Sequence, residues 1–287
     1  MSEAAKMLKV LVTGAGGQLG QELVKLDVLG LEFVGVDRQA MDITDSEQCA
    51  EVISRIAPDV IIHCAAYTAV DLIETEEVKA WQVNAEGTRN VAEAAEVVGA
   101  KLCYVSTDYV FDGGGTQPYR EDDKTNPQTV YGRTKLAGEI FAREACSKTF
   151  IVRTSWVYGR YGTNFVYTML RLAQQHDELK VVNDQIGSPT YTLDLARFIA
   201  DIIQTKHYGI YHASNTGSCT WYDFAQAIFE EAGFSDKLMV IPCKTEEFSR
   251  PAPRPSYSVL GHEALIQAGL KPLRHWREAL NEFLKHL

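Results

Sequence analysis

Three side chains in this 287-residue sequence have the types and spacing to move a proton beside a carbonyl group. Tyr131 and Lys135 lie four apart in "VYGRTKLAGE". On a helix that spacing puts both on one face, one turn from each other. Thr107 lies in "VSTDYVFDG", 24 residues before Tyr131, with Ser106 beside it at the end of an apolar run of strand length. A free phenol titrates near ~10 and is a poor proton donor-acceptor at neutral pH. A nearby ammonium favours the phenolate and lowers that value. Tyr131 could then act as general acid toward a carbonyl oxygen. Thr107 could hydrogen-bond and polarise the same oxygen. Tyr-x-x-x-Lys alone occurs by chance in many helices, with the tyrosine packed and the lysine solvated, so its context decides.

That context begins with "LVTGAGGQLG". Gly14, Gly17 and Gly20 are spaced G-x-x-G-x-x-G, with Gly16 in addition, after one apolar run and before a helical pattern. The spacing suits a backbone that approaches a pyrophosphate, whose charge meets the first N–H groups of the helix. Gly20 would let that helix pack closely on a sheet. Lys135 would gain a second task in such a site, holding the nicotinamide ribose.

Asp37 ends the next run, "EFVGVD". A carboxylate there accepts from adenosine ribose hydroxyls and favours NAD. Arg38 follows it and could hold a 2'-phosphate, which favours NADP. The two signals conflict, so the expectation is use of both NADH and NADPH. Either residue could instead simply cap the strand end. Asp42 and Ile43 follow a short loop and could flank an adenine. In "HCAAYT" the small Ala65 and Ala66 would let a cofactor lie against the backbone, and His63 reads as a packed strand residue.

The elements that must position these groups are legible as an alternation. Strand-length apolar runs occur at Leu8–Val12, Phe33–Val36, Val60–His63, Leu102–Val105 and Phe150–Val152, with helical patterns near 18–29, 46–56, 74–98 and 130–147. Strands apolar throughout are buried on both faces, hence parallel and covered by helices. The fold class expected is α/β, a Rossmann-type doubly wound parallel sheet. After about residue 155 the rhythm loosens into loop-like stretches and shorter helical patterns near 163–175, 192–205, 220–232 and 273–286. The expected division is a dinucleotide-binding domain over 7–155 and a smaller α/β substrate-binding cap over 156–287, with some later segments returning to the sheet. Residues 1–6 read as a ragged leader.

The formal net charge of −10 argues against a general nucleic-acid binder, which needs a basic face. A small anionic ligand remains compatible, held by a few local cations and helix N-termini. The six cysteines form no CxxC pair and several sit in apolar stretches. Buried free thiols suit a reducing cytoplasm. No apolar segment approaches the ~20 residues of a membrane span.

With these residues in place, the chain resembles the extended short-chain dehydrogenase/reductase family. The stretches that carry the likeness are "LVTGAGGQLG", "DITD", "HCAAYTAVDLIE", "VNAEGTRNVAEAA", "STDYVFDG", "YGRTKLAGE", "VRTSWVYG", "NFVYTML", "DQIGSPTYT" and "RPSYSVL". The resemblance implies reduction of the C4 keto group of dTDP-4-dehydro-L-rhamnose to dTDP-L-rhamnose, the last step of dTDP-rhamnose biosynthesis. It assigns catalysis to Thr107, Tyr131 and Lys135. It implies cofactor contacts from Gly14, Gly16, Gln18, Leu19, Asp42, Ile43, Ala65, Ala66 and Thr68, beside the Gly17 and Gly20 of the motif. It places Trp156 against the deoxysugar, where an indole face suits an apolar C–H face and methyl group; a core aromatic is the alternative. Asp108 is expected near the sugar. Asn164, Gln185, Ser188 and Arg254 could hold the sugar nucleotide, with Arg254 either meeting pyrophosphate oxygens in a fork or standing as a solvated loop charge. Some relatives bind a metal and dimerise, which leaves Mg2+ and a homodimer open here.

Two rival readings follow. Sugar-nucleotide 4,6-dehydratases carry Asp-Glu directly after the active-site threonine, whereas Thr107 is followed by Asp108 and Tyr109; an epimerase stays open. A non-catalytic, NADP-binding regulatory subunit, like the β subunit of methionine adenosyltransferase, is the rival from another class.

Overall fold

Six strands pair into one parallel sheet: β1 (Leu8–Thr13), β2 (Leu31–Val36), β3 (Val60–His63), β4 (Lys101–Thr107), β5 (Thr149–Thr154) and β6 (Gly209–His212), in the order β6-β5-β4-β3-β1-β2. All five pairings are parallel. The computed structural model describes residues 7–234 and 237–287. The expected leader, residues 1–6, lies outside them.

The alternation of side chains along each strand explains why the sheet is covered on both faces. Val10, Val12, Val60, Ile62, Cys103, Phe150 and Val152 pack on one side, together with α1 (Gln18–Val24) and residues Leu195, Phe198, Ile199 and Ile202 of a later helix. Leu11, Ile61, Leu102, Tyr104 and Ile151 pack on the other. There they meet α2 (Ser46–Ile56), α3 (Gly87–Val98) and α4 (Val130–Ala145). Strand period two with both faces apolar is the signature of a doubly wound sheet. The strand order reverses beside β1, which has β2 on one side and β3 on the other. Ligands of open α/β sheets bind at the carboxyl ends of the strands near such a point.

Two of the expected helices are altered. The first stops at Val24, because the chain must turn back through Gly30, at φ +85°, to enter β2. The 74–98 pattern is broken into Glu77–Trp81, a π-helical turn at Gln82–Glu86, and α3. The bulge has a use. It places Asn84 where its amide accepts from Tyr67 N (2.7 Å) and donates to Tyr67 O (3.0 Å) and Thr134 Oγ1 (3.1 Å). One buried side chain thus ties the loop after β3 to α4, in the manner of π-bulges at functional sites.

The later part of the chain splits its allegiance. The helix α6 (Thr192–Ile202) and strand β6 return to the sheet. The helices α5 (Phe165–Ala173), α7 (Trp221–Glu231) and α8 (Trp276–Lys285) instead build a separate aromatic core around Tyr158, Tyr191, Phe224, Phe229, Trp276 and Phe283. Strand Glu178–Val182 pairs in parallel with Met239–Cys243 at the edge of that core.

Candidate active site

The carboxyl ends of β1, β3, β4 and β5 open into a cleft of about 1100 Å³ between the sheet and the later helices. Its floor is the loop after β1. Gly14 takes φ +67°, and a Cβ there would lie 2.7 Å from Ala65 N and Cα. A Cβ on Gly20 would collide with the Gly14 carbonyl oxygen, which fixes how closely α1 approaches the strand. Gly16 differs: nothing lies within 4 Å of where its side chain would begin. The N-terminus of α1 has no side-chain cap and no acid in its first turn. Free N–H groups, an open glycine and a positive helix end fit a pyrophosphate.

Thr107 is the last residue of β4, and Tyr131 and Lys135 lie in the first turns of α4, which Thr129 caps by accepting from Gly132 N (2.9 Å). The three side chains share the cleft wall. Lys135 Nζ donates to Val105 O (2.7 Å) and stands 4.0 Å from the centre of the Tyr104 ring. Tyr131 meets the edge of Tyr109, ring centres 5.4 Å apart. Thr107 Oγ1 donates to Asp108 Oδ1 (2.9 Å) and accepts from Tyr109 N (3.2 Å).

Burial dominates the electrostatics. It pushes the Tyr131 phenol up to about 12, with the Thr107 hydroxyl opposing the rise. It pulls the Lys135 ammonium down to about 7, opposed by the Glu139 carboxylate one turn along α4. Among the chain's own groups the lowering expected from the ammonium together with an oxidised nicotinamide ring is not seen: burial dominates, and Tyr131 stays protonated at neutral pH. A protonated phenol is the form an acid needs. Asp108, 4% exposed, is raised to about 6 by the same cause, and its Oδ2 has no hydrogen-bond partner.

Beneath the site lies a buried ion pair. Arg153 of β5 donates through Nε (2.9 Å) and Nη2 (2.7 Å) to Glu139, and Ser106 Oγ donates to the same carboxylate (2.5 Å). The two charged side chains are 2% and 3% exposed. His63 is fully buried between Thr13 and Thr88, as its reading as a packed residue anticipates.

The other sequence-derived candidates divide. Gly17, Gln18, Leu19, Ala66, Thr68, Asp108, Trp156, Gln185 and Arg254 line the cleft with the residues above. Ala65 lies just behind Gly14, its N–H donating to Thr13 Oγ1 (3.3 Å). Asp37 accepts from Gln39 N and Ala40 N, both at 3.0 Å, so its carboxylate caps its own turn. Arg38 pairs with Asp42 (3.2 Å) while its side chain is 77% exposed. Thr44 and Arg38 hold the Asp42 carboxyl below its usual range. Ile43 is buried, and its side chain packs where a Cβ on Gly87 would fall. Asn164 caps α5 by accepting from Tyr167 N (3.1 Å), and its amide donates to Gly159 O (2.9 Å) and Gln18 Oε1 (3.4 Å). Ser188 is buried, its hydroxyl donating to Gly217 O (2.7 Å). Asn164 and Ser188 therefore support the cleft from behind.

Arg254 donates to Asp71 Oδ2 (2.8 Å), and Arg250 lies 3.7 Å from the same carboxylate. Asp71, Arg250, Trp221, Phe248 and the α5 face were not singled out from the sequence. Asp71 stands inside "HCAAYTAVDLIE", five residues past Ala66, which was the one available hint. Among the described residues no three His, Cys, Asp or Glu side chains are grouped to hold a metal ion.

The pattern of the RmlD substrate binding domain matches residues 8–287. The chain belongs to the RmlD family. It is 48% identical to the spore coat polysaccharide biosynthesis protein SpsK of Bacillus subtilis, over 97% of this chain and 98% of the relative. It is 47% identical to a dTDP-4-dehydrorhamnose reductase of Streptomyces griseus, over 95% of this chain and 91% of the relative. A dTDP-4-dehydrorhamnose reductase from Bacillus anthracis, solved in complex with NADP, superposes with a TM-score of 0.95 at 47% identity, covering 98% and 99% of the two chains. The RmlD-family chain thus carries the Rossmann-type fold of these reductases. No helix of the described residues is long and apolar enough to cross a membrane.

Proposed function

We propose that this protein uses NADPH or NADH to reduce the C4 keto group of dTDP-4-dehydro-L-rhamnose, giving dTDP-L-rhamnose. The observation that carries the reading is that Thr107, Tyr131 and Lys135 line one cleft together with the glycine loop between β1 and α1.

When held by the glycine loop and the N-terminus of α1, a nicotinamide dinucleotide would supply the hydride for C4. The residues of the chain do the rest. The glycine loop and the N-terminus of α1 hold its pyrophosphate. Thr107 donates to the keto oxygen and polarises it. Tyr131 gives that oxygen its proton, so the carbonyl becomes a hydroxyl with charge balanced. Lys135 orients the ribose. Trp156 offers an apolar face to the 6-deoxysugar. Arg254 and Arg250 place two guanidinium groups on the single Asp71 carboxylate, which leaves a net positive charge at the cleft mouth for the diphosphate. Tyr109 stands where a dehydratase has its second acid, and it packs on Tyr131 instead. All six cysteines are free thiols, a usage that suits a reducing cytoplasm.

The test mixes purified protein with NADPH and dTDP-4-dehydro-L-rhamnose made in situ. One NADPH lost per dTDP-rhamnose formed supports the reading. Cofactor binding with no turnover by either NADPH or NADH overturns it in favour of a regulatory, non-catalytic role.

A further inference from the structure

Trp156 has a backbone that a bulky residue rarely adopts, with φ +46°. Such a conformation persists only where its surroundings enforce it. Two contacts do so here. The indole of Trp221 stacks on that of Trp156, ring centres 3.5 Å apart and planes 8° from parallel. On another side the Trp156 indole lies so close to Gly187 that a Cβ there would fall 2.5 Å from Cε2 and 2.7 Å from Nε1. These two contacts share one frame. Gly187 pairs with Cys219 and Ile186 with Thr220 in a short antiparallel ladder, and Trp221 follows directly as the first residue of α7. Thr220 then locks the start of that helix through a capping box with Asp223. Phe165 of α5 backs Trp221, ring centres 4.6 Å apart. On the near side, Trp156 is two residues beyond Thr154, whose partner across the sheet is Thr107.

We propose that Trp221 is a positioning residue of the sugar subsite: its indole holds Trp156 in the strained conformation, and the stacked pair sets the face of the 6-deoxysugar toward Thr107 and Tyr131. The inference rests on the reading of the cleft as a 4-keto-6-deoxysugar site. Trp156 alone on its strained backbone would relax toward an ordinary φ and swing its ring out of register. Gly187 matters for the same reason, since any side chain there pushes the indole from its seat.

The test compares the full-length wild type with Trp221→Ala, Trp221→Phe and Gly187→Ala, using NADPH and the dTDP-4-keto-6-deoxysugar. Trp221→Ala and Gly187→Ala are expected to lower kcat/KM for the sugar nucleotide by about tenfold, the factor set by one aromatic pair. The dissociation constants of NADPH and of free dTDP stay within about twofold, because neither the glycine loop nor Arg254 belongs to the Trp156–Trp221–Gly187 stack. Trp221→Phe, which keeps a ring in the stack, restores most of the loss. Should Trp221→Ala fail to fold, Gly187→Ala carries the same expectation. Unchanged kcat/KM in both variants, with an active wild type, overturns the positioning role alone. Equal losses of NADPH, dTDP and sugar-nucleotide affinity overturn it in favour of a structural role. A wild type that turns over no 4-keto sugar overturns the underlying reading and the inference with it.

Discussion

Replacing Glu139 by Gln separates the packing role of the buried ion pair from its electrical one. In the wild type the carboxylate accepts three hydrogen bonds, two from Arg153 and one from Ser106, at 3% exposure. The amide keeps the shape and removes the charge, so the Arg153 guanidinium is left buried without its partner. Breaking a buried pair in this way costs about 3–5 kcal/mol. An exposed pair gives the scale for comparison: Arg89 and Glu86, 39% and 41% exposed, should yield less than about 1 kcal/mol when Glu86→Gln is made. Urea unfolding of the three proteins measures both differences on one scale. The charge has a second effect. Glu139 opposes the desolvation that brings Lys135 down to about 7. Without it the ammonium loses its proton at lower pH, and any limb of the kcat/KM profile that reports Lys135 moves down in pH. A loss of stability no larger than that of Glu86→Gln, or a pH profile that does not move, would refute the reasoning.

Three further outcomes follow from the geometry. Gly14→Ala meets Ala65 N at 2.7 Å on a backbone with φ +67°, so stability should fall by about 1–3 kcal/mol and NADPH affinity with it, as read by calorimetry. For coenzyme choice, the ratio of kcat/KM for NADPH and NADH should stay within about a thousandfold either way, the range expected while Asp37 and Arg38 give opposed signals. Arg38→Ala should weaken NADPH and leave NADH unchanged; equal losses for both would remove Arg38 from the 2'-phosphate site. For pH, Lys135 titrates near 7 in the folded protein against an ordinary value of 10.5, so the unfolded chain holds more protons between those values. Stability of the cofactor-free protein should therefore rise with pH across that window, and Lys135→Met should flatten the slope.

What the sequence disclosed was what short-range spacing encodes. The strands β1 to β5, the glycine cradle and the Tyr131–Lys135 pair are each read within about ten residues, where strand and helix periods act directly. What it concealed was assembled across distance. Strand β6 is four residues long and pairs with β5 from 59 positions away, so no local pattern separates it from loop. Arg153 and Glu139 meet only because β5 lies beside the middle of α4. Asp71 gains its meaning from arginines about 180 residues further on. Asn164 and Ser188 sit in loop-like stretches of the later chain, where the expectation is that they could hold the sugar nucleotide. The fold uses both to satisfy backbone groups behind the cleft. Asp37 shows the same competition, since its carboxylate completes a local turn before any ribose is considered. The Tyr131 phenol is raised because burial outweighs the lowering by its hydrogen bond with Thr107.

The central claim is that Tyr131 is the proton donor of a ketone reduction. Tyr131→Phe keeps the ring against Tyr109 and removes only the hydroxyl. Measured side by side with the wild type, kcat for the 4-keto sugar nucleotide should fall by about 10²–10⁴-fold while the NADPH dissociation constant changes by less than about twofold. Turnover retained within about tenfold of the wild type would contradict the account.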